Sequence, residues 1–132
     1  MAAIAEGPGT GIQVTPRSPS IQLIRRFLFE KAGSFQLALG DDDSAAESFR
    51  QATAAAEGPR GSMKAHGGLA IANYRRGLVA DDETAVEQAF RDTRNIERLA
   101  DDSGESDVAA IAAHNGAVMG RRGQDLLLYE IL

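Results

Sequence analysis

The chain has 132 residues, a formal net charge of −5 from 14 basic and 19 acidic side chains, and no cysteine. The negative charge argues against broad binding to nucleic acid or to an anionic membrane, because phosphate binding needs a surplus of positive charge. The lack of cysteine excludes disulfides, thiolate metal sites and cysteine nucleophiles, and it leads us to expect a cytoplasmic protein. The apolar runs are far shorter than the roughly 20 residues that span a bilayer, so no membrane helix is expected.

Residues 1–17 are predicted to form a flexible arm. This stretch contains three glycines and two prolines and shows little hydrophobic periodicity, a composition that does not favour a packed element. It also lacks the basic start and the continuous apolar stretch of a secretory signal.

A first helix is predicted from Pro19 to Gly40. Ser18 is suited to cap it, and proline is tolerated at the first helical position, where its missing amide hydrogen has no intrahelical partner. Apolar residues then recur at near-helical steps: Ile21, Ile24, Leu28, Phe35 and Leu39. Gly40 suits the left-handed backbone that ends many helices.

Four more helices and a short final one are expected to follow. We predict them at about 43–57, 60–76, 84–101, 105–122 and 124–132. Gly77 and Gly123 are predicted to end the third and fifth helices, in the same way as Gly40 ends the first.

Acidic side chains cluster where the second, fourth and fifth helices begin, at residues 41–43, 81–83 and 101–107. Such side chains offset the positive end of a helix dipole. Ser44 with Glu47, and Thr84 with Glu87, also have capping-box spacing. A calcium loop would need alternating oxygen ligands, a central glycine and a glutamate at its twelfth position. None of the clusters has this pattern, so we interpret them as helix starts.

No constellation of catalytic or metal-binding residues stands out. His66 and His114, the two histidines, fall within predicted helices, and a metal site needs three or four ligands. Neither histidine shares a motif with a nucleophile, and no glycine-rich phosphate loop follows a strand. The sequence therefore predicts a protein that is not an enzyme and that holds neither a metal nor a cofactor.

A spaced pattern of small and large residues surrounds the turn glycines. Three small residues each lie seven positions before one of these glycines: Gly33, Ala70 and Gly116. After Gly40, the residues Ala45, Phe49 and Ala52 share one helix face. Small residues at facing positions let two helices approach closely, and a large ring fills the space that remains.

This pattern resembles one tetratricopeptide helical hairpin, on the residues Phe29, Ala32, Gly33, Phe35, Gly40, Ala45, Phe49 and Ala52. The resemblance implies an all-α fold, in which antiparallel helical hairpins stack as a short right-handed solenoid of about six helices. Its units would span about 18–58, 60–100 and 104–132. The family repeats every 34 residues, whereas the turn glycines here are 37 and 46 residues apart.

Tetratricopeptide proteins generally bind a peptide or a partner protein in the groove lined by the first helix of each unit. The resemblance therefore implies a partner-binding surface made of Glu30, Ser34, Leu37, Lys64, Ile71, Tyr74, Arg75 and Arg121. An alternative stays open for the arginine pairs 75–76 and 121–122, since cations near a helix C-terminus interact favourably with its carbonyls.

The sequence thus predicts a protein–protein interaction module or scaffold that binds a protein or peptide and no nucleic acid. Only two of its 14 basic residues are lysines, which is typical of a GC-rich bacterial gene. Residues 124–132 are too apolar for an exposed solenoid cap. This helix is therefore expected either to fold back onto the preceding hairpin, which is the simpler case, or to form a homodimer with a second chain. The alternative is a helical bundle, an accessory or sensor domain, that binds a small molecule in a closed apolar pocket.

Overall fold

The computed structural model describes residues 19–121, with side chains from residue 21 onward. This part of the chain forms five α-helices and no β-strand: α1 (Pro19–Ala38), α2 (Asp42–Ala55), α3 (Gly58–Val79), α4 (Glu83–Asp102) and α5 (Ser106–Gly120). The prediction of an all-helical fold is therefore confirmed for residues 19–121. The predicted arm at 1–17 and the predicted final helix at 124–132 lie outside the described residues.

Aspartates begin α2 and α4. Asp41 Oδ1 accepts a hydrogen bond from the backbone amide of Ser44 at 3.2 Å, and Asp82 Oδ1 accepts one from Ala85 at 3.1 Å. Each cap satisfies one of the four amides that a helix start leaves without an intrahelical partner. Asp41 is one of the four cap candidates that the sequence offers before α2, and the capping-box spacing of Ser44 and Thr84 does not mark the capping residues.

The turns after α1 and α3 are built differently. Gly40 has a φ of 79°, the left-handed backbone that was predicted for it. Gly77 instead lies inside α3, where an added Cβ would stand 2.9 Å from Val86 Cγ2 of α4. Helix α3 continues to Val79, and Asp81 makes the turn with a φ of 54°. The prediction that Gly77 ends this helix is wrong, because the glycine serves the close packing of α3 on α4.

The ring of Phe49 in α2 fills the space where α1, α2 and α3 meet. Phe49 is 2% exposed. A Cβ added to Gly33 of α1 would lie 2.7 Å from one edge of the ring, and a Cβ added to Gly68 of α3 would overlap the opposite edge. The expected notch at Gly33 is therefore present, and Gly68 supplies a second one.

Buried side chains form two apolar clusters. The first comprises Leu37, Ala45, Ala46, Phe49, Ile71, Ala72, Tyr74, Val86, Ala89 and Met119. The second comprises Met63, Ile96, Ala100, Val108, Ala109 and Ala112. Alanine fills many of these positions, so the helices pack closely around a few larger side chains.

The helices differ in how many neighbours they have. Each helix packs on the next one in the chain, and α3 also contacts α1 and α5. Helix α3 thus touches all four of the others, whereas α1 touches only α2 and α3. Within residues 19–121, α2 and α4 make no contact with each other. Each of the other four described helices thus touches two neighbours.

Candidate functional site

Helix α1 and the residue after it carry a surface of exposed apolar side chains. Six large side chains there are between 51% and 68% exposed: Leu23, Ile24, Phe27, Leu28, Phe35 and Leu39. Their helical spacing places them together on the broad side of α1 that faces away from α2 and α3. We call these six residues the α1 apolar face. Contiguous apolar surface of this kind is typical of sites that contact other proteins.

The side of α3 that corresponds to the α1 apolar face is covered by neighbouring helices. The predicted repeat sets Gly33 of α1 level with Ala70 of α3. On that alignment, three of the six residues of the α1 apolar face correspond to buried residues of α3: Ile24 to Gly61, Leu28 to Ala65 and Phe35 to Ala72. The other three correspond to half-buried residues. Ala72 packs in the same cluster as three residues of α2. Helix α2 thus contributes to a cover for α3 that α1 does not have among the described residues.

Basic side chains border the α1 apolar face. Arg25 and Lys31 are exposed on α1, and Lys31 Nζ lies 5.3 Å from the centre of the Phe27 ring, a cation–π contact. Glu30 is the one acidic residue of α1, and it pairs with Arg26. The face therefore combines apolar area with positive charge, on a chain whose net charge is −5.

A polar cluster lies between α1 and α3. The Glu30 carboxylate forms an ion pair with Arg26 Nε at 3.4 Å, and the two side chains are only 13% and 15% exposed. Lys64 of α3 also acts on Glu30, so the structure brings these two predicted binding residues together. Burial raises the pKa of Glu30, and the charges of Arg26, Lys64 and Lys31 offset this only in part.

Oε2 of Glu30 and Nε of Arg26 face each other at 3.4 Å, and both are buried without a full hydrogen bond among the described residues. A buried acceptor without a donor costs free energy. The incomplete pairing of this buried carboxylate agrees with the raised pKa of Glu30.

The other predicted binding residues have different positions. Leu37, Ile71 and Tyr74 are buried, with exposures of 5%, 3% and 4%, and they belong to the first apolar cluster. Ser34 is half-buried on α1, one turn after Glu30. The structure therefore places three of the predicted residues in the core and leaves Ser34 at the surface.

Arg75 joins the end of α1 to the start of α2. Its Nη2 donates to the carbonyl of Leu37 at 3.0 Å, and its Nε lies 3.0 Å from Asp42 Oδ1. The carbonyl lies at the C-terminal end of α1 and not of α3, so this contact differs from the one that the alternative for the arginine pairs describes. Arg121 is exposed directly after α5.

The acidic clusters border an open cleft between α2 and α4. The cleft has a volume of about 630 Å³, and five aspartates line it: Asp41, Asp42, Asp43, Asp82 and Asp92. Each of these carboxylates has a nearby partner, either a backbone amide, an arginine or a glutamine. Across the described residues, no group of three or more histidine or acidic side chains is placed to hold a metal ion.

The α1 apolar face is the surface that the sequence prediction missed. A signal for it exists in the sequence, because α1 is apolar on opposite sides: Ile24 and Phe35 lie on one, Gly33 and Leu37 on the other. A helix that is apolar around most of its circumference needs cover on more than one side.

In comparisons with protein-family models, curated proteins and solved structures, none matches this chain. The tetratricopeptide resemblance therefore stays a prediction that rests on the residues quoted for it. Of the helices α1 to α5, none is long and apolar enough to cross a membrane.

Proposed function

We propose that the protein is a non-enzymatic protein–protein interaction module, and that the α1 apolar face is a contact surface for its partner. The observation that carries the proposal is the exposure of six large apolar side chains on α1 and the residue after it, three of which have buried counterparts on α3. Removing apolar surface from water contributes about 25 cal/mol per Å², which a partner can use to offset the cost of association.

A stack of antiparallel hairpins is the arrangement that we propose for the helices. Gly33 faces Phe49, and the side chains of Gln36 and Ser48 are hydrogen bonded at 2.7 Å. The residue numbers rise along α1 as they fall along α2, which supports an antiparallel pair. Among the described residues, α3 contacts α1 and α5, whereas α2 does not contact α4. These contacts support a solenoid in which α1, α3 and α5 line one surface.

The surface lined by these three helices adjoins the α1 apolar face. Leu23, Phe27, Glu30 and Ser34 follow one another at steps of four, three and four residues. Such steps place them along one edge of α1. We propose that Glu30 and Lys64 supply polar contacts to the same partner whose apolar side chains cover the face.

A bundle that binds a small molecule is less well supported. Such a site is usually an enclosed, mostly apolar pocket. Two clefts of about 630 and 280 Å³ are described, and both open to the surface. The larger one is lined by carboxylates, so the geometry favours contact with a protein.

Capture of partners from a lysate of the source organism tests the proposed function. The baits are the wild-type chain, Leu28→Asp on the α1 apolar face, and Leu78→Asp near the end of α3 as the matched control. Leu28 is 60% exposed and Leu78 is 45% exposed, so both changes should alter the free energy of unfolding by less than about 0.5 kcal/mol.

We expect the wild-type chain and Leu78→Asp to retain a specific partner that Leu28→Asp loses. An identical set of captured proteins for all three baits would contradict the proposed function. The urea midpoint of each bait shows that a lost partner is not a consequence of unfolding.

A further inference from the structure

We infer that the α1 apolar face is covered by residues 124–132 of a second copy of this chain, so that copies associate head to tail. This inference rests on the proposed function of the face and adds the identity of its occupant.

The position of the face indicates which kind of helix covers it. Helix α3 is covered by α2, the helix that precedes it in the chain and that is second in its unit. The corresponding cover for α1 is therefore also a second helix of a unit. In the predicted repeat, residues 124–132 are the second helix of the last unit, and they follow α5 as α2 follows α1.

The chemistry of this segment complements the face. Its apolar residues are Leu126, Leu127, Leu128, Tyr129, Ile131 and Leu132, and its only charged side chains are the carboxylates of Asp125 and Glu130. The α1 apolar face is bordered by the cations of Arg25 and Lys31. Opposite charges beside matched apolar surfaces favour this pairing. Two α1 faces in contact would instead bring the cations of both copies together.

The segment cannot reach α1 of its own chain. Helix α3 lies between α1 and α5, which do not contact each other. Packed helices lie 8–10 Å apart, so the cover of α1 lies roughly 25 Å to the side of α5. Only residues 121–123 link α5 to the segment, and three extended residues span about 10 Å. The occupant must therefore come from a second copy.

A head-to-tail contact joins two different surfaces, so each added copy offers a new free end. Such contacts produce rings or growing chains instead of closed dimers. The mass of the wild-type protein should therefore rise with concentration beyond that of a dimer.

Light scattering at high micromolar concentration tests the inference with two complementary variants. Leu28→Asp removes the acceptor surface and Leu127→Asp removes the donor segment. Each variant alone should stay at the 14.0 kDa mass of one chain. An equimolar mixture should reach twice that mass and stop there, because the one intact contact leaves two blocked ends. The control Leu78→Asp should associate as the wild type does.

A charge exchange provides a second pair of variants that leaves the apolar residues intact. Lys31→Glu and Glu130→Lys should each associate more weakly than the wild type by about tenfold or less, as expected for one charge pair of about 1 kcal/mol. Their mixture should recover association toward the wild-type mass, since each contact between the two different variants again joins opposite charges.

Three outcomes would overturn the inference: a wild-type chain at 14.0 kDa, a Leu127→Asp variant that associates as the wild type does, or mixtures that stay monomeric. A monomeric wild type that still captures a partner through Leu28 would overturn the inference and leave the proposed function standing. Association that is lost in neither variant would point to a different surface.

Discussion

Gly68 has no room for a side chain, because an edge of the Phe49 ring occupies the position that its Cβ would take. Alanine at this position gains about 1 kcal/mol in helix propensity. Overpacking of a core site typically costs about 1–3 kcal/mol. The added Cβ would overlap the Phe49 ring, whose opposite edge packs against Gly33. We expect Gly68→Ala to lower the free energy of unfolding by about 1 kcal/mol in urea titrations.

The same substitution in a Phe49→Leu background serves as its control. Leucine removes the edge of the ring, so Gly68→Ala should then cost less than it does in the wild type. A difference between the two backgrounds measures the coupling of the two residues. An equal loss of stability in both backgrounds would show that overlap with the Phe49 ring does not cause the loss.

Glu30 links the stability of the fold to pH. Burial raises the folded-state pKa of Glu30 above the ordinary value of 4.5, so the folded chain binds this proton more tightly than the unfolded chain. The contribution of Glu30 to stability is therefore most favourable below pH 4.5 and declines as the pH rises through the raised pKa. We expect Glu30→Gln to raise the urea midpoint at pH 7 and to remove this decline.

Glu47 offers a matched control with the opposite sign. Hydrogen bonds from Gln51 and Arg50 lower the pKa of the Glu47 carboxyl, so its contribution is present above pH 4.5 and is lost as the pH falls through the lowered pKa. Glu47→Gln should not raise the urea midpoint at pH 7. If Glu30→Gln also lowers the urea midpoint at pH 7, burial is not the dominant influence on the pKa of Glu30.

At the scale of the helix, the start of α4 depends on one side chain. Asp82 accepts the hydrogen bond from the amide of Ala85, and loss of such a cap typically costs about 1 kcal/mol. Asp82→Ala should therefore lower the free energy of unfolding by about that amount. Thr84→Ala, two residues later and exposed, should change it by less than about 0.5 kcal/mol. Chemical denaturation measures the free energy of unfolding of both variants. Equal losses in the two variants would show that neither side chain acts as the specific cap of α4.

The helices could be predicted from the sequence within a few residues, whereas their ends could not. Before α2, four consecutive residues from Asp41 to Ser44 can all act as caps, so the local sequence does not decide between them. Gly77 is equally ambiguous, because glycine suits both a helix end and a close helix contact. Only Val86, which faces Gly77 from α4, resolves the choice.

At the scale of the whole molecule, the candidate surface depends on which neighbours each helix has. The sequence shows that α1 is rich in apolar residues, but it does not show that α2 and α3 cover only one side of it. The family register suggested Ile71 and Tyr74 as surface residues, and the structure buries both. Leu37 of α1, which was also predicted to bind a partner, is buried as well. Contacts between helices, which a single sequence does not contain, decide these points.

The central claim is that the α1 apolar face contacts residues 124–132 of a second copy. The chain has no cysteine, so one introduced cysteine can carry a polarity-sensitive fluorophore. Ala38→Cys places the label beside the face, and Ala54→Cys places it on an exposed position of α2 as the control. Each labelled chain is titrated with unlabelled wild-type chain and, separately, with unlabelled Leu127→Asp.

We predict a saturable blue shift of the label at position 38 on addition of wild-type chain, and no shift at position 54. Unlabelled Leu127→Asp should leave both labels unchanged, because it lacks the apolar donor segment. An emission at position 38 that does not respond to wild-type chain at high micromolar concentration, or that responds equally to Leu127→Asp, would contradict the account.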